Sequence, residues 1–219
     1  DDPEITAAIA DFGFSEEIYA SAQNLSSSGT LSFSDVDANN VIDVSKTVVS
    51  TSTWSGGSIE SALATALEGG LSINANNLDA PGSLAWSYNV NGVNLDFLAA
   101  GETISLEYAV TITDDAGGSD TDNFTVTITG TNDDPEINSP INIGLPDDFS
   151  SGTLSFSDVD ANSNINVTST LTTAASWSDG SIDPALATTL DNGFSIDAND
   201  LNTPGLINWS YDVTGADLD

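Results

Sequence analysis

The sequence has no cysteine, no histidine and no methionine, and Lys46 is the single basic side chain among its 219 residues. Without cysteine no disulfide can form, and without cysteine and histidine an ordinary zinc site is excluded. These absences leave few groups for acid–base or nucleophilic chemistry, so we expect no enzymatic activity. The formal net charge of −33 excludes a nucleic-acid partner, because such binding needs basic residues on the phosphates, and it predicts repulsion from anionic membranes.

Long apolar runs are also absent. The sequence has no stretch of 18 apolar residues, no initiator methionine and no secretion signal, so we expect no direct insertion into a membrane. We therefore expect this sequence to be a piece of a longer protein.

Strand-forming residues are plentiful, and 39% of the chain is hydrophobic. Apolar residues alternate with polar ones over 103–113 and again over 123–129, which predicts two β-strands. By contrast, "SIESALATAL" at 58–67 has a helical period, with Ser58 placed to cap the helix and glycines to end it. The pattern predicts an all-β, immunoglobulin-like antiparallel β-sandwich of about seven strands with one short helix inserted.

The chain contains a tandem repeat. The stretch "GTLSFSDVDAN" occurs at 29–39 and, letter for letter, at 152–162. Without a gap, 41 of 70 positions are identical between 27–96 and 150–219. This period is far longer than that of a solenoid, so each repeat should be a domain with its own core.

The predicted domains are 1–132 and 133–219, since "DDPEI" opens the chain and returns at 133. The second repeat stops where the first has residue 96, so it lacks a counterpart of 97–132 and hence two strands. Either a longer chain or a neighbouring chain would supply them. We expect four apolar residues of the second repeat to be poorly covered: Leu154, Phe156, Trp209 and Tyr211. The tryptophans occupy equivalent positions in the two repeats and are predicted to be core residues: Trp54, Trp86, Trp177 and Trp209.

Acidic residues are concentrated in three segments that an immunoglobulin-like path brings to one end of the domain. These are the incoming linker, the loop after "GTLSF" and the hairpin before the last strand. Carboxylates gathered in this way repel one another unless a cation joins them, and Ca²⁺ accepts six to eight such oxygens. The predicted calcium ligands of the first repeat are Asp2, Asp35, Asp37, Asn39, Asp114, Asp115, Asp120 and Asp122.

At the junction, the linker residues and the corresponding loop of the second repeat are predicted to bind calcium jointly and to stiffen the linker. These ligands are Asn132, Asp133, Asp134, Asp158, Asp160 and Asn162. An EF-hand is excluded, because a loop counted from Asp35 has Asn40 where glycine is needed and Lys46 where glutamate is needed.

The segments "GTLSFSDVD" and "FLAAGETISLEYAVTITDDAGGSDTDNFTVTITGTNDDPEI" resemble VCBS-type repeats. Such repeats are similar to cadherin-like and immunoglobulin-like domains of large bacterial surface adhesins exported by type I secretion. The resemblance implies extracellular repeats that form a stalk in cell adhesion or biofilm formation. It also implies adjacent repeats of the same polypeptide as partners and calcium at the junctions.

Three other functions fit parts of the sequence. Paired carboxylates could serve a glycosidase, but 34 acids produce such pairs by chance. A ligand-binding adhesin head could use the unrepeated insert around Phe12, Phe14 and Tyr19, which otherwise is a longer first strand and a packed loop. A self-assembling filament or sheath subunit could complete the second repeat with strands from neighbouring copies.

Overall fold

The computed structural model forms two compact units, Asp1–Asp133 and Asp134–Asp219. The residues that it describes are 1–19, 21–37, 40–73, 75–139, 141, 143, 149–196 and 198–216, with backbone only for 198–200. Neither of the helices in this part of the chain is long and apolar enough to cross a membrane.

The first unit is a β-sandwich. Its elements are β1 (Glu4–Ala7), β2 (Phe12–Ser15), β3 (Gln23–Ser34), β4 (Val41–Trp54), α1 (Ser61–Gly69), β5 (Leu71–Ser72), β6 (Ala75–Asp79), β7 (Gly82–Val93), β8 (Thr103–Asp114) and β9 (Ser119–Thr129). One sheet has the order β1-β3-β7-β5 and the other β2-β9-β8-β4-β6. A single apolar cluster contains residues of both sheets, which confirms the predicted immunoglobulin- and cadherin-like sandwich class.

The alternation in β8 and β9 is borne out by their burial. In β8 the residues Ile104, Leu106, Tyr108, Val110 and Ile112 are all 2% exposed or less. Strand β4 was not predicted from the sequence, although its 14 residues make it the longest strand described. The C-terminal half of β4 is largely exposed, so it lacks the apolar alternation that identifies a strand. It forms because β8 pairs with it from Ile42 to Trp54.

The unrepeated insert forms strand β2, which pairs in parallel with β9 from Phe12↔Val126 to Ser15↔Thr129. The Phe12 ring lies 5.5 Å from the Trp86 ring and 5.8 Å from the Phe124 ring, centroid to centroid. Phe12 and Phe14 of the insert therefore pack against the core, but β2 is a separate strand of the other sheet and not an extension of β1. Tyr19 is 60% exposed.

The helix is in the predicted place but begins two residues later than a cap at Ser58 predicts. Ser58 does not cap it; the capping position is Glu60, whose side chain makes no capping hydrogen bond. The hydroxyls of Tyr88 and Tyr108 both donate to the carbonyl of Leu67, at 3.0 and 2.9 Å, and tie the helix end to the two sheets.

The second unit repeats this frame in part. Its elements are β10 (Glu136–Ile137), β11 (Phe149–Ser157), β12 (Asn164–Val167), α2 (Pro184–Asn192), β13 (Phe194–Ile196), β14 (Ala198–Asn202) and β15 (Gly205–Asp212). One sheet has the order β10-β11-β15-β13, and β12 pairs with β14 alone. The described residues of this unit contain no counterpart of β8 or β9. Pro184 opens α2, and the Asp183 side chain caps it.

Two expectations about the second unit were wrong. Leu154, Phe156 and Trp209 are buried, at 4%, 3% and 8% exposure, because they pack with one another and with residues of the same unit such as Val167 and Phe194. Tyr211 is partly buried and donates its hydroxyl to the Leu190 carbonyl at 2.9 Å. Trp177 is not a core residue: it is 58% exposed, whereas Trp54, Trp86 and Trp209 pack in the two cores.

Candidate cation sites at the two ends of the first unit

The strands of the first unit gather loops at two opposite ends. Strands β2, β7 and β9 all finish at one end, which we call the linker end. Strands β3 and β8 finish at the other, where β1 and β9 begin, and we call it the hairpin end. Strand β9 spans 11 residues between them, so the two ends are about 33 Å apart at ~3.3 Å per residue.

Three buried carboxylates meet at the linker end. Glu16 is 2% exposed, Asp96 is 8% exposed and Asp133 is 0% exposed. One carboxylate oxygen of each lies within 4.8 Å of one oxygen of each of the others. This carboxylate triad belongs entirely to the first unit.

The strands and loops of the first unit position each of the three carboxylates. Glu16 follows the last residue of β2, and its amide donates to the Thr129 carbonyl at 2.9 Å, so the parallel pairing with β9 fixes it. Asp96 lies in the loop after β7, between the buried residues Leu95 and Leu98. Asp133 follows β9, and its Oδ1 accepts a hydrogen bond from the Tyr19 amide at 2.8 Å.

The hydrogen-bond donors around the triad do not reach every carboxylate oxygen of Glu16 and Asp96. Glu16 Oε2 accepts from the amide of Thr131 at 3.0 Å and from its hydroxyl. Glu16 Oε1 and Asp96 Oδ1 are buried and have no hydrogen-bond partner within the described ranges. A buried carboxylate oxygen without a donor is costly, and the cost falls when a cation binds it.

The electrostatics of the triad are repulsive. Burial raises the pKa of Asp96, and the charges of Asp133 and Glu16 raise it further. The chain's one basic side chain does not relieve this repulsion, because the Lys46 ammonium lies over the Tyr108 ring, 6.0 Å from its centroid. Three close, buried carboxylates fit a hard divalent cation, and the donor set is all oxygen, as Ca²⁺ prefers.

The raised pKa of Asp96 predicts how the stability of the first unit depends on pH. Between the unfolded pKa of about 3.9 and the raised folded value, the folded protein binds more protons, so Asp96 contributes less stability as pH rises. In a metal chelator, lowering the pH from 7 to 4 should raise the free energy of unfolding of the wild type relative to that of Asp96→Asn. Urea unfolding at both pH values measures this. The exposed Asp79→Asn should keep a constant difference from the wild type, and a constant difference for Asp96→Asn as well would contradict the repulsion.

The hairpin end holds a second group of carboxylates. Asp114 is 6% exposed; its Oδ1 accepts from the amides of Ala116 and Gly118 at 2.9 and 2.7 Å, while its buried Oδ2 has no partner in the described part of the chain. Asp2 Oδ1 and Asp114 Oδ2 lie 2.7 and 2.9 Å from the point that a Cβ on Gly118 would occupy. Glycine at 118 therefore leaves the space that these two carboxylates face.

Other predicted ligands lie at the same end, as the sequence-based path required. Asp120 Oδ2 accepts from the amide of Ile5 at 2.9 Å, which joins the last hairpin to β1. Asp35 accepts from the Asp37 amide at 2.8 Å, and this hydrogen bond lowers the pKa of Asp35. The amino group of Asp1 donates to Asp37, and this hydrogen bond raises the pKa of that amino group.

The remaining predicted ligands of the first unit are exposed or lie outside the described residues. Asp115 is exposed in the hairpin turn, and Asp122 is exposed on β9, where it accepts from the amide of Asn123. Asn39 lies outside the described residues. Asn132 is exposed and donates its side-chain amide to the Asp133 carbonyl at 2.7 Å.

The second unit contains four of the predicted ligands. Asp134 and Asn162 are exposed, and Asp158 is half-buried. Asp160 is 2% exposed, and its amide donates to Asp158 Oδ1 at 3.0 Å.

Sequence reasoning missed Glu16 and Asp96. Asp96 is an isolated acid, and Glu16 has only Glu17 beside it, so neither lies in one of the Asp-rich segments that suggested a cation site. The available signal was "DFGFSEE" at 11–17, in which phenylalanines alternate as in a strand and two acids follow it.

No family model matches the chain, and no curated protein matches it. Among solved structures, AggA, the major subunit of aggregative adherence fimbriae type I from Escherichia coli, is 16% identical, with coverage of 60% of this chain and 97% of that one and a TM-score of 0.34. The titin domains Z1Z2, solved in complex with telethonin, are 11% identical (97% and 82% covered, TM-score 0.33). The human desmocollin-1 ectodomain is 14% identical (100% and 32% covered, TM-score 0.33). At these TM-scores the likenesses carry no argument about function.

Proposed function

We propose that the chain is a calcium-binding structural repeat of an extracellular stalk, with a mechanical rather than a catalytic role. The observation that carries this proposal is the buried triad of Glu16, Asp96 and Asp133. Three buried carboxylates, two of which have an oxygen without a hydrogen-bond donor among the described residues, destabilise a fold unless a cation is bound. A stalk repeat outside the cell would meet calcium continuously.

Calcium suits the triad better than other common ions. The ligands are carboxylate oxygens without a nitrogen or sulfur donor, which disfavours zinc. Magnesium demands near-ideal octahedral geometry and keeps several waters, whereas calcium tolerates irregular sets of six to eight oxygens. Extracellular modules commonly bind calcium with dissociation constants of about 10⁻⁴–10⁻³ M.

The position of the triad explains what a bound ion would do. Asp133 is the last residue of the first unit, while Glu16 and Asp96 belong to two loops within it. An ion shared by all three would hold the departing chain against the body of the domain. The direction in which the chain leaves would then be fixed, as a stalk requires. Participation of Asn132, Asp134, Asp158, Asp160 and Asn162 stays a prediction.

Calorimetric titration with calcium tests the triad directly. We expect Glu16→Gln to weaken binding at least ~10-fold, since it removes one of three charges at a buried site. The matched control is Glu17→Gln, the same substitution at the adjacent, exposed residue, which should bind calcium as the wild type does. Equal affinities for the two variants would mean that the triad does not hold the ion.

The resemblance to VCBS-type repeats supports the finer part of the proposal, which is a stalk in a large bacterial surface adhesin that acts in cell adhesion or biofilm formation. A filament or sheath subunit is the second candidate, because β12 and β14 form a sheet of two strands in the part of the second unit that the structure describes. Light scattering with calcium separates the two, since a stalk segment stays monomeric and a filament subunit grows with concentration.

A further inference from the structure

The chain contains two asparagine–glycine pairs, Asn91-Gly92 in β7 and Asn192-Gly193 at the end of α2. Asparagine is chemically labile, and it deamidates most readily before glycine, because glycine has no side chain to hinder attack of its amide nitrogen on the asparagine side chain. The two pairs have the same chemistry, so the fold decides which of them reacts.

The pair Asn91-Gly92 forms a bulge in β7. The register of β7 against β3 shifts there, so that these two residues lie opposite Asn24 alone. Gly92 has a φ of +67°, and a Cβ at this position would have no atom within 4 Å. Asn91 is exposed, and its side chain makes no hydrogen bond with the rest of the described chain. No packing contact of Gly92 and no hydrogen bond of the Asn91 side chain therefore has to break before the two groups meet.

One hydrogen bond restrains this bulge. The Gly92 amide, whose nitrogen is the attacking atom, donates to Asn24 Oδ1 at 2.9 Å. The nitrogen must lose that proton before it can attack, so the bond to Asn24 has to open first. Asn24 is itself exposed on β3, and the bond can open without the loss of a core contact.

The second pair is held by several hydrogen bonds. Asn192 is the last residue of α2, and its side-chain amide donates to the Thr188 carbonyl at 2.9 Å. The amide of Gly193 donates to the Leu190 carbonyl, and its carbonyl accepts from the Asp212 amide at 2.9 Å. Gly193 is also buried. The Asn192 side chain and the Gly193 amide must both leave these partners before they can react.

We propose that Asn91 is a modification site at which the protein deamidates, that Asn24 sets the rate, and that Asn192 reacts far more slowly in the folded chain. The Gly92 nitrogen gives its proton to water or hydroxide and bonds to Cγ of Asn91, and the Cγ–Nδ2 bond breaks with release of ammonia. Water then opens the five-membered imide at either of its two carbonyls. The products are aspartate and isoaspartate, in which Cγ has become part of the backbone. The reaction needs no oxidant, no reductant and no bound cation.

The bulge can hold the longer backbone of isoaspartate. Two residues of β7 already lie opposite one residue of β3, and the space beside Gly92 is open. The modified protein should therefore stay folded, with one more negative charge at the linker end, where β7 finishes. Anion-exchange chromatography separates this form, and its circular dichroism should match that of the unmodified protein. Loss of the β-sheet signal in that fraction would show that the bulge does not accommodate the product.

The test incubates the full chain at mildly alkaline pH and follows both asparagines by peptide mass spectrometry, with fragmentation that distinguishes aspartate from isoaspartate. We expect deamidation at Asn91 to be at least ~10-fold faster than at Asn192, because opening the end of α2 breaks hydrogen bonds and exposes Gly193. In guanidinium chloride, where the fold restrains neither pair, the two rates should become similar. Equal rates in the folded protein, or a faster reaction at Asn192, would overturn the assignment.

Variants at two positions test the role of each residue. Asn24→Ala removes the acceptor and should speed deamidation of Asn91 about 5-fold, the factor that a hydrogen bond of ordinary strength contributes. Asn24→Asp keeps an acceptor and should not speed the reaction. Asn91→Gln would have to close a six-membered ring, so it should gain no product at this position. An unchanged rate in Asn24→Ala would overturn the role of Asn24, and a charge gain that persists in Asn91→Gln would place the reaction elsewhere.

Discussion

Replacing Asp96 by asparagine is expected to have opposite effects with and without calcium. Without calcium, Asp96→Asn should raise the melting temperature of the first unit, because it removes a charge that burial and two neighbouring carboxylates oppose. An asparagine amide can also donate to the unused Glu16 oxygen. With saturating calcium, the same variant should melt below the wild type, because the ion loses a ligand.

The size of the calcium effect follows from mass action. A ligand at 100 times its dissociation constant adds about 2.7 kcal/mol to the stability of the folded state that binds it. For a unit of this size, that corresponds to a rise in melting temperature of roughly 10 °C. Chelation should therefore lower the wild-type melting temperature by about this amount.

Calorimetry of the wild type, Asp96→Asn and Asp79→Asn, each with calcium and with chelator, measures the crossover. Asp79 is exposed on β6, so its variant controls for the loss of one negative charge from a chain of net charge −33. It should follow the wild type in both conditions. Parallel shifts of all three proteins would contradict a cation at the triad.

The sequence predicted those parts of the fold in which burial alternates. Strand β8 has one face buried without interruption, and β9 repeats that pattern, so both were correctly identified. Strand β4 could not be, because its C-terminal half lacks apolar alternation and is held in the sheet by pairing with β8. The second unit supports this reason: the equivalent β12 ends at Val167, and no strand is assigned to 168–176.

The candidate sites, like the fold, could be predicted from the sequence only in part. The convergence of Asp2, Asp35, Asp114 and Asp120 could be predicted from an immunoglobulin-like path, in which antiparallel neighbours finish where their partners begin. Glu16 reaches Asp133 through the parallel pairing of β2 with β9, which is a long-range contact without a local signal. A triad assembled from three separate loops is therefore visible only in three dimensions.

Equivalent substitutions in the two repeats compare the stabilities that their two hydrophobic cores provide. Phe33 and Phe156 occupy the same position of "GTLSF", are 1% and 3% exposed, and lie against the equivalent glycines Gly82 and Gly205. Among the described residues, the buried apolar cluster around Phe33 has 23 members and that around Phe156 has six. The same substitution is therefore made in locally similar surroundings but in cores of very different size.

We expect Phe33→Ala to lower the stability of the first unit by about 3–5 kcal/mol and to leave it folded in calcium, whereas Phe156→Ala should unfold the second unit altogether. Domain stabilities are commonly about 5–15 kcal/mol, and a two-stranded second sheet with a six-residue buried cluster places the second unit at the low end. Calorimetry of the wild type should then show two transitions, of which calcium raises mainly the higher. Phe33→Ala should move the higher transition, and Phe156→Ala should abolish the lower one. Equal shifts of a single transition in both variants would show that the two units unfold together and that the smaller core is not the weaker one.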